Sequence, residues 1–297
     1  MRQFALSCVL AASLALPAFA EEVTIATAQG DVTLPAQPQK VAVFDIAAID
    51  SLNALGVAVA GAPDNTYMPY LQDATKDAAK IGTLFEPNLE TLAGLGPDLI
   101  IIGGRSAAQK AAVEQVGTTI DMTISPDLLT DAKARIDAYG KLFAKTDEAT
   151  ALNATLDEKI AALQEASKGK GKALVILTNG PKMSAYGKGS RFGWIYDATG
   201  LPEAVENLKV GSHGDAISHE FIAEANPDWL FVIDRGAAVG AEGQSAEATL
   251  TNPLIEGTNA WKNGRVAYLP PANMYISGAG YNSLVETLDQ LTAAVSK

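Results

Sequence analysis

The chain has 297 residues, 48% of them hydrophobic, with one cysteine, two histidines and a formal net charge of −12. That acidity argues against nucleic acid and anionic membrane surfaces as partners, and so few cysteines and histidines leave no ready ligand set for a structural zinc. The length suits two domains of ordinary size.

Residues 1–20 read as an export signal. Arg2 supplies the charged start, Phe4 to Leu16 the apolar stretch, and Ala18-Phe19-Ala20 a small-x-small cleavage site before Glu21. A lipoprotein signal does not fit, because Ala5 rather than Leu stands three positions before Cys8 and the apolar run ahead of it is short. Cleavage after Ala20 removes Arg2 and Cys8, leaving 21 basic against 34 acidic residues, a net charge of −13, and no disulfide. No later apolar run approaches the roughly 20 residues that span a bilayer. The expectation is a soluble periplasmic protein, monomeric, held by its core alone.

Apolar runs bounded by Gly, Pro and Asp then alternate with helical patterns. "KVAVFD" (40–45), "DLIIIGG" (98–104), "KALVILTNG" (172–180), "DWLFVID" (228–234) and "RVAYLP" (265–270) read as strands covered on both faces, as in parallel α/β layers. Tyr67 and Tyr70, in "NTYMPYL", follow the second strand of the first half and could form an aromatic wall. Residues 147–168 form a long helix closed by "GKGK". The predicted organisation is an N-terminal α/β lobe over 21–146, an inter-lobe helix over 147–168 and a C-terminal α/β lobe over 169–297.

One pattern occurs twice. "LETLAGLGPDLIIIGGR" (89–105) returns 130 residues later as "HEFIAEANPDWLFVIDR" (219–235), so Glu90, Pro97, Asp98 and Arg105 correspond to Glu220, Pro227, Asp228 and Arg235. Ligands of open parallel sheets bind beyond the carboxyl ends of the strands, and Arg105 and Arg235 stand just past two such ends. The glutamates open the preceding helices and are expected at the opposite part of each lobe, away from the cleft. A third cation, Arg191, lies in "YGKGSRFGWIYDATG" (186–200), where Ser190 is expected to cap a helix and place Arg191 at its N-terminus. Guanidiniums gathered in a partly dry cleft repel one another. A small, multiply negative ligand offsets that cost, and aromatic rings in it would suit arginine's flat face.

Both histidines fall within "SHGDAISH" (212–219). His219 precedes a helix and reads as a surface or capping residue. His213 lies between glycines, in a loop able to reach inward. Tyr275, in "PPANMYISGAG" (270–280), sits in a loop leaving the last strand. Phenolate and imidazole both suit Fe(III). No G-x-S-x-G and no G-x-x-x-x-G-K-[ST] is present, and "GKGSRFG" has the wrong glycine spacing for a dinucleotide loop, so nothing points to an enzyme.

The segments "GTLFEPNLETLAGLGPDLIIIGGR", "KVGSHGDAISHEFIAEANPDWLFVIDR" and "YLPPANMYISGAG" resemble the class III periplasmic substrate-binding proteins of ABC importers. The similarity is to the ferric-siderophore branch that takes catecholate and petrobactin-type ligands. It implies two Rossmann-like lobes on a rigid spanning helix, with little hinge closure and no intrinsic cofactor. It implies that Arg105, Arg191 and Arg235 surround a ferric siderophore, and that His213 and Tyr275 complete the iron coordination of four-donor siderophores. The "NTYMPYL" loop has no close counterpart in that family, so Tyr67 is a ligand-binding candidate from its own position alone. It implies that Glu90 and Glu220 dock onto an inner-membrane ABC permease with its ATPase. His219 departs from the small polar residue usual there. Haem, cobalamin or another iron complex is the alternative cargo.

Overall fold

The structure, a computed structural model, describes residues 21–297; the signal read at 1–20 lies outside them. The first half opens with a hairpin of β1 (Glu22–Thr27) and β2 (Gly30–Pro35). Then come β3 (Val41–Val43), α1 (Ile46–Ala54), β4 (Gly61–Ala62), α2 (Pro69–Ala74) and β5 (Ala79–Lys80). They lead into α3 (Leu89–Leu95), β6 (Leu99–Ile102), α4 (Lys110–Val113), β7 (Thr119–Asp121) and α5 (Leu128–Leu142). Its sheet has the order β5-β4-β3-β6-β7, and every pairing is parallel.

Helix α6 (Thr146–Ser167) leads to the second half. There β8 (Ala173–Asn179) and β9 (Lys182–Tyr186) are followed by α7 (Trp194–Thr199), β10 (Asp215–Ile217), α8 (His219–Ala225) and β11 (Trp229–Asp234). Short helices α9 (Arg235–Val239), α10 (Ala246–Leu250), α11 (Pro253–Glu256) and α12 (Asn259–Lys262) precede β12 (Val266–Tyr268), α13 (Pro271–Tyr275) and α14 (Tyr281–Val295). The second sheet has the order β10-β9-β8-β11-β12, in which two strands at one edge, not read from the sequence, join the three that were. Strands β8, β11 and β12 are parallel, but β9 runs antiparallel to both of its neighbours. The cause is local: Gly180, at φ 57°, supplies the left-handed residue of a two-residue hairpin between Asn179 and Lys182.

The continuous apolar runs have a plain explanation. Val41, Val43, Leu99 and Ile101 face the main core, while Ala42, Phe44, Ile100 and Ile102 face a second cluster with Leu92 of α3. In the other half, Val175, Leu177, Phe231 and Ile233 face the main core, and Leu174, Ile176, Leu230 and Val232 an outer one with Ile222 of α8. Side chains alternate along a strand, so two covered faces demand apolar residues at every position. The main core continues through Leu156 and Leu163 of α6, which join residues of both halves. No helix among the described residues is long and apolar enough to cross a membrane.

The repeat is structural. Asn88 and Ser218 cap α3 and α8, accepting from Thr91 N and Phe221 N, and each helix ends on a left-handed residue, Gly96 (φ 60°) or Asn226 (φ 38°). The Asp98 carboxylate then accepts from Gln39 N and Lys40 N, both at 2.9 Å, ahead of β3. Asp228 does the same with Lys172 N at 2.9 Å, ahead of β8. Each Pro-Asp therefore clasps the start of the neighbouring strand.

The expected placement of Glu90 and Glu220 away from the cleft is wrong. Asn88 N donates to Ile81 O, just past the carboxyl end of β5, so α3 begins at the end of the sheet from which Arg105 emerges. Strand β10, twice reversed from β8, has its carboxyl end level with that of β8, and α8 starts there. Both exposed glutamates thus stand at the same end as the arginines. A helix returning antiparallel to its following strand must start where that strand finishes, a constraint the repeat alone does not display.

One tie between the halves has no counterpart in the repeat. Asp50 of α1 is fully buried and accepts from Asn282 Nδ2 at 2.7 Å, Ser283 N at 2.9 Å, Asn282 N at 3.2 Å and Ser277 Oγ at 3.3 Å. A carboxylate of the first half thereby caps the last helix, supplying acceptors that Gly280 lacks. Gly280 is required by close approach, since a Cβ there would lie 2.3 Å from Asp50 Oδ2.

Candidate functional site

Loops at the carboxyl ends of the first sheet meet segments 189–192, 210–213 and 274–279 around a cavity of about 700 Å³. Arg105, Arg191, His213 and Tyr275 line it, and so do three residues the sequence reading passed over: Asp45, Phe85 and Val210. The size suits a small ligand.

Tyr275 organises the cations. Its carbonyl oxygen accepts from Arg105 Nη2 at 2.5 Å and from Arg191 Nη2 at 2.6 Å, so guanidiniums from opposite halves share one acceptor. Arg105 Nη1 also donates to Ile276 O at 3.3 Å. The phenol oxygen accepts from Arg235 Nε at 3.0 Å, and Arg235 Nη1 reaches Asn179 at 3.3 Å. The guanidinium carbons of Arg105, Arg191 and Arg235 stand 5.2, 4.4 and 5.5 Å from the centre of the Tyr275 ring. A ring face and two carbonyls offset part of the repulsion among the three cations. Burial first, and then the charge of Arg191, lowers the pKa of Arg105.

Burial opposes ionisation of the Tyr275 phenol, yet the Arg235 hydrogen bond and the charges of Arg191 and Arg235 outweigh it, and its pKa falls below the ordinary 10.0. Burial raises the phenols of Tyr70, Tyr139 and Tyr196. A spectrophotometric alkaline titration should therefore lose its earliest-ionising tyrosine in Tyr275→Phe; an unchanged curve would contradict this arrangement. A depressed folded-state pKa favours folding fully only above the unfolded value and loses that effect as pH falls through the folded one, so the phenol's contribution is greatest at alkaline pH.

Other expectations need adjustment. Ser190 is not a helix cap: its hydroxyl donates to Gly187 O, and α7 begins three residues past Arg191, after Gly193. Arg191 is placed by turns rather than by a helix N-terminus. Tyr275 closes the short α13 rather than lying in a loop. Arg235 meets the site through Tyr275 and is not part of the cavity wall. Nor is Tyr67, although its phenol lies close enough to Arg105 to bear on that group's ionisation. Tyr70 turns away to Ser283 Oγ at 3.3 Å, so no wall forms from the pair.

His213 is exposed at the cavity, in a loop that Gly214 lets pass tightly over Tyr186; at φ 66°, a Cβ there would stand 2.5 Å from Ala185 O. His219 follows the capping Ser218 and places Nε2 2.8 Å from Thr249 O, outside the cavity wall. No group of three or more His, Cys, Asp or Glu side chains is arranged to hold a bare metal ion among the described residues.

Comparison with known proteins places this architecture. The periplasmic binding protein family matches residues 41–272. The petrobactin-binding protein YclQ of Bacillus subtilis is 36% identical over 269 residues, 89% of this chain and 84% of the relative. Its crystal structure superposes with a TM-score of 0.87 at 34% identity, covering 93% of this chain and 99% of that one. The ferric-anguibactin-binding protein FatB of Vibrio anguillarum is 30% identical, covering 88% and 84%. The catecholate-siderophore-binding protein VctP of Vibrio cholerae has a TM-score of 0.86 at 30% identity, covering 92% of this chain and all of the other.

Proposed function

We propose that this chain, which belongs to the periplasmic binding protein family, captures a ferric siderophore and delivers it to an ABC permease for iron uptake. The observation that carries this reading is the gathering of Arg105, Arg191 and Arg235 from both halves on one tyrosine beside a cavity. Unliganded, these cations repel. A chelate whose oxygens carry several negative charges replaces that repulsion with charge-assisted hydrogen bonds. The cargo is siderophore-bound Fe(III), for which His213 and Tyr275 are the candidate direct donors where the chelator leaves coordination sites open. Glu90 and Glu220, exposed at the same end of each half, are the candidate contacts with the permease, which an ATPase drives. The working form is a periplasmic monomer. It binds and releases its cargo without transforming it.

Titration of intrinsic fluorescence with ferric siderophores tests the reading, with haem and cobalamin as competitors for the role. Ferric catecholates should quench Trp194, Trp229 or Trp261 at submicromolar concentrations and show their visible charge-transfer band. Tight binding of haem without response to any ferric catecholate would overturn the choice of cargo. In the same assay, His213→Ala should cost affinity chiefly for four-donor siderophores and little for six-donor ones. Equal losses for the two classes would remove the proposed donor role of His213.

A further inference from the structure

The cavity contains a carboxyl group that a wholly anionic ligand would not welcome. Asp45 is the one carboxylate among its lining residues, and it sits beside Gly103, Gly104 and Arg105. As N-cap of α1 it uses Oδ1 to accept from Ala47 N at 2.8 Å and Ala48 N at 3.3 Å. Its second oxygen has no hydrogen-bond partner among the described residues. That oxygen occupies space that only a glycine leaves open, for a Cβ on Gly103 would fall 1.8 Å from Oδ2.

The nearby cations do not neutralise it. Arg105 spends its terminal nitrogens on Tyr275 O and Ile276 O. Arg135 donates to Met122 O at 3.1 Å and Thr123 O at 2.7 Å. No ion pair to Asp45 occurs among the described residues. Capping explains one oxygen and does not explain the charge, because a neutral asparagine or serine caps as well. Burial raises the carboxyl pKa, outweighing the cap hydrogen bonds from Ala48 and Ala47 and the charges of Arg105 and Arg135, which all lower it.

We propose that Asp45 is a specificity-determining residue, whose unpartnered oxygen receives a hydrogen-bond donor of the cargo, foremost a protonated amine in the chelator's linker. This rests on the ferric-chelate reading of the cavity and adds a polarity to it. The arginines take the anionic oxygens around the iron, while Asp45 reads the organic frame. The same carboxylate rejects a chelate that presents an oxygen at that point, since two acceptors would then face each other.

The test compares two ferric tris-catecholates, one with a secondary amine in the linker and one with an ether oxygen in its place. Wild-type protein should prefer the amine by roughly 10-fold or more, the scale of one hydrogen bond to a charged group. Asp45→Asn keeps the cap, so its melting temperature should stay close to that of the wild type. It should bind the two chelates alike and the ether at least as well as wild type does. An amide linker distinguishes a neutral donor from a cation. Should Asp45→Asn fold poorly, Asp45→Ser keeps a capping oxygen without charge and serves the same comparison. Equal binding of amine and ether by wild type, or a preference that survives Asp45→Asn, overturns the proposal. Failure of wild type to bind either chelate instead overturns the cargo assignment itself.

Discussion

Arg191→Ala is expected to weaken binding of a ferric tris-catecholate roughly 10- to 100-fold, the scale of one lost hydrogen bond to a charged group. Its melting temperature should nonetheless stay level or rise. The two effects have opposite signs because Arg191 stands 4.4 Å from the Tyr275 ring centre, with the Arg105 and Arg235 guanidiniums over the same ring. In the empty protein it adds repulsion, which lowers the pKa of Arg105, and among the described residues its side chain donates one hydrogen bond, to Tyr275 O. In the complex it meets an anion. Arg105→Ala should lose as much affinity and also melt earlier, because Arg105 ties two backbone carbonyls of the last segment to the first half. Fluorescence titrations at low and high salt, beside thermal melts, separate the cases, and both variants should show a shallower salt dependence. Affinity unchanged in Arg191→Ala would remove that guanidinium from the proposed binding triad.

Asp50→Ala should destabilise the whole protein by about 3–5 kcal/mol, because each buried donor left without an acceptor costs about 1–3 kcal/mol. Four donors, from Ser277, Asn282 and Ser283, would lose their acceptor inside the protein, and α14 would lose its cap. At roughly 2–4 °C per kcal/mol for a chain of this size, the melting temperature should fall by on the order of 10 °C. Cargo affinity should fall with it, because Ser277 lies two residues from Tyr275 and the cations depend on that residue's carbonyl. Asp50→Asn retains acceptors for part of the set and should recover part of the loss. A melting temperature within a degree or two of wild type for Asp50→Ala would refute this account of how the halves are joined.

Much of this was legible in the sequence, for identifiable reasons. The central strands showed because both of their faces are covered, and α6 because its apolar spacing continues for six turns; its observed bounds, Thr146–Ser167, differ from the reading by one residue at each end. The convergence of Arg105 and Arg235 followed from the repeat, whose Asp98 and Asp228 hold their strands alike. The β1–β2 hairpin escaped because it buries few side chains, chiefly Ile25 and Leu34. The β9–β10 edge escaped because Gly180-Pro181 looks like any loop. Asp45 and Asp50 were missed for a deeper reason. An acid in a strand–helix turn reads as a cap, and Asp50 has partners more than 220 residues away, which no local spacing reports. Phe85 and Val210, 57% and 71% exposed at the cavity, look in sequence like ordinary apolar loop residues.

Helix α6, 22 residues and so about 33 Å long, packs along α14, and Asp50 locks the start of α14 to α1. Rotating one half against the other would mean bending a braced pair of rods rather than flexing a loop. A receptor braced this way is expected to show a transporter nearly the same outline whether laden or vacant. On that expectation, the signal that cargo is aboard would be written at the mouth of the cleft, in the net charge there and in the positions of a few side chains.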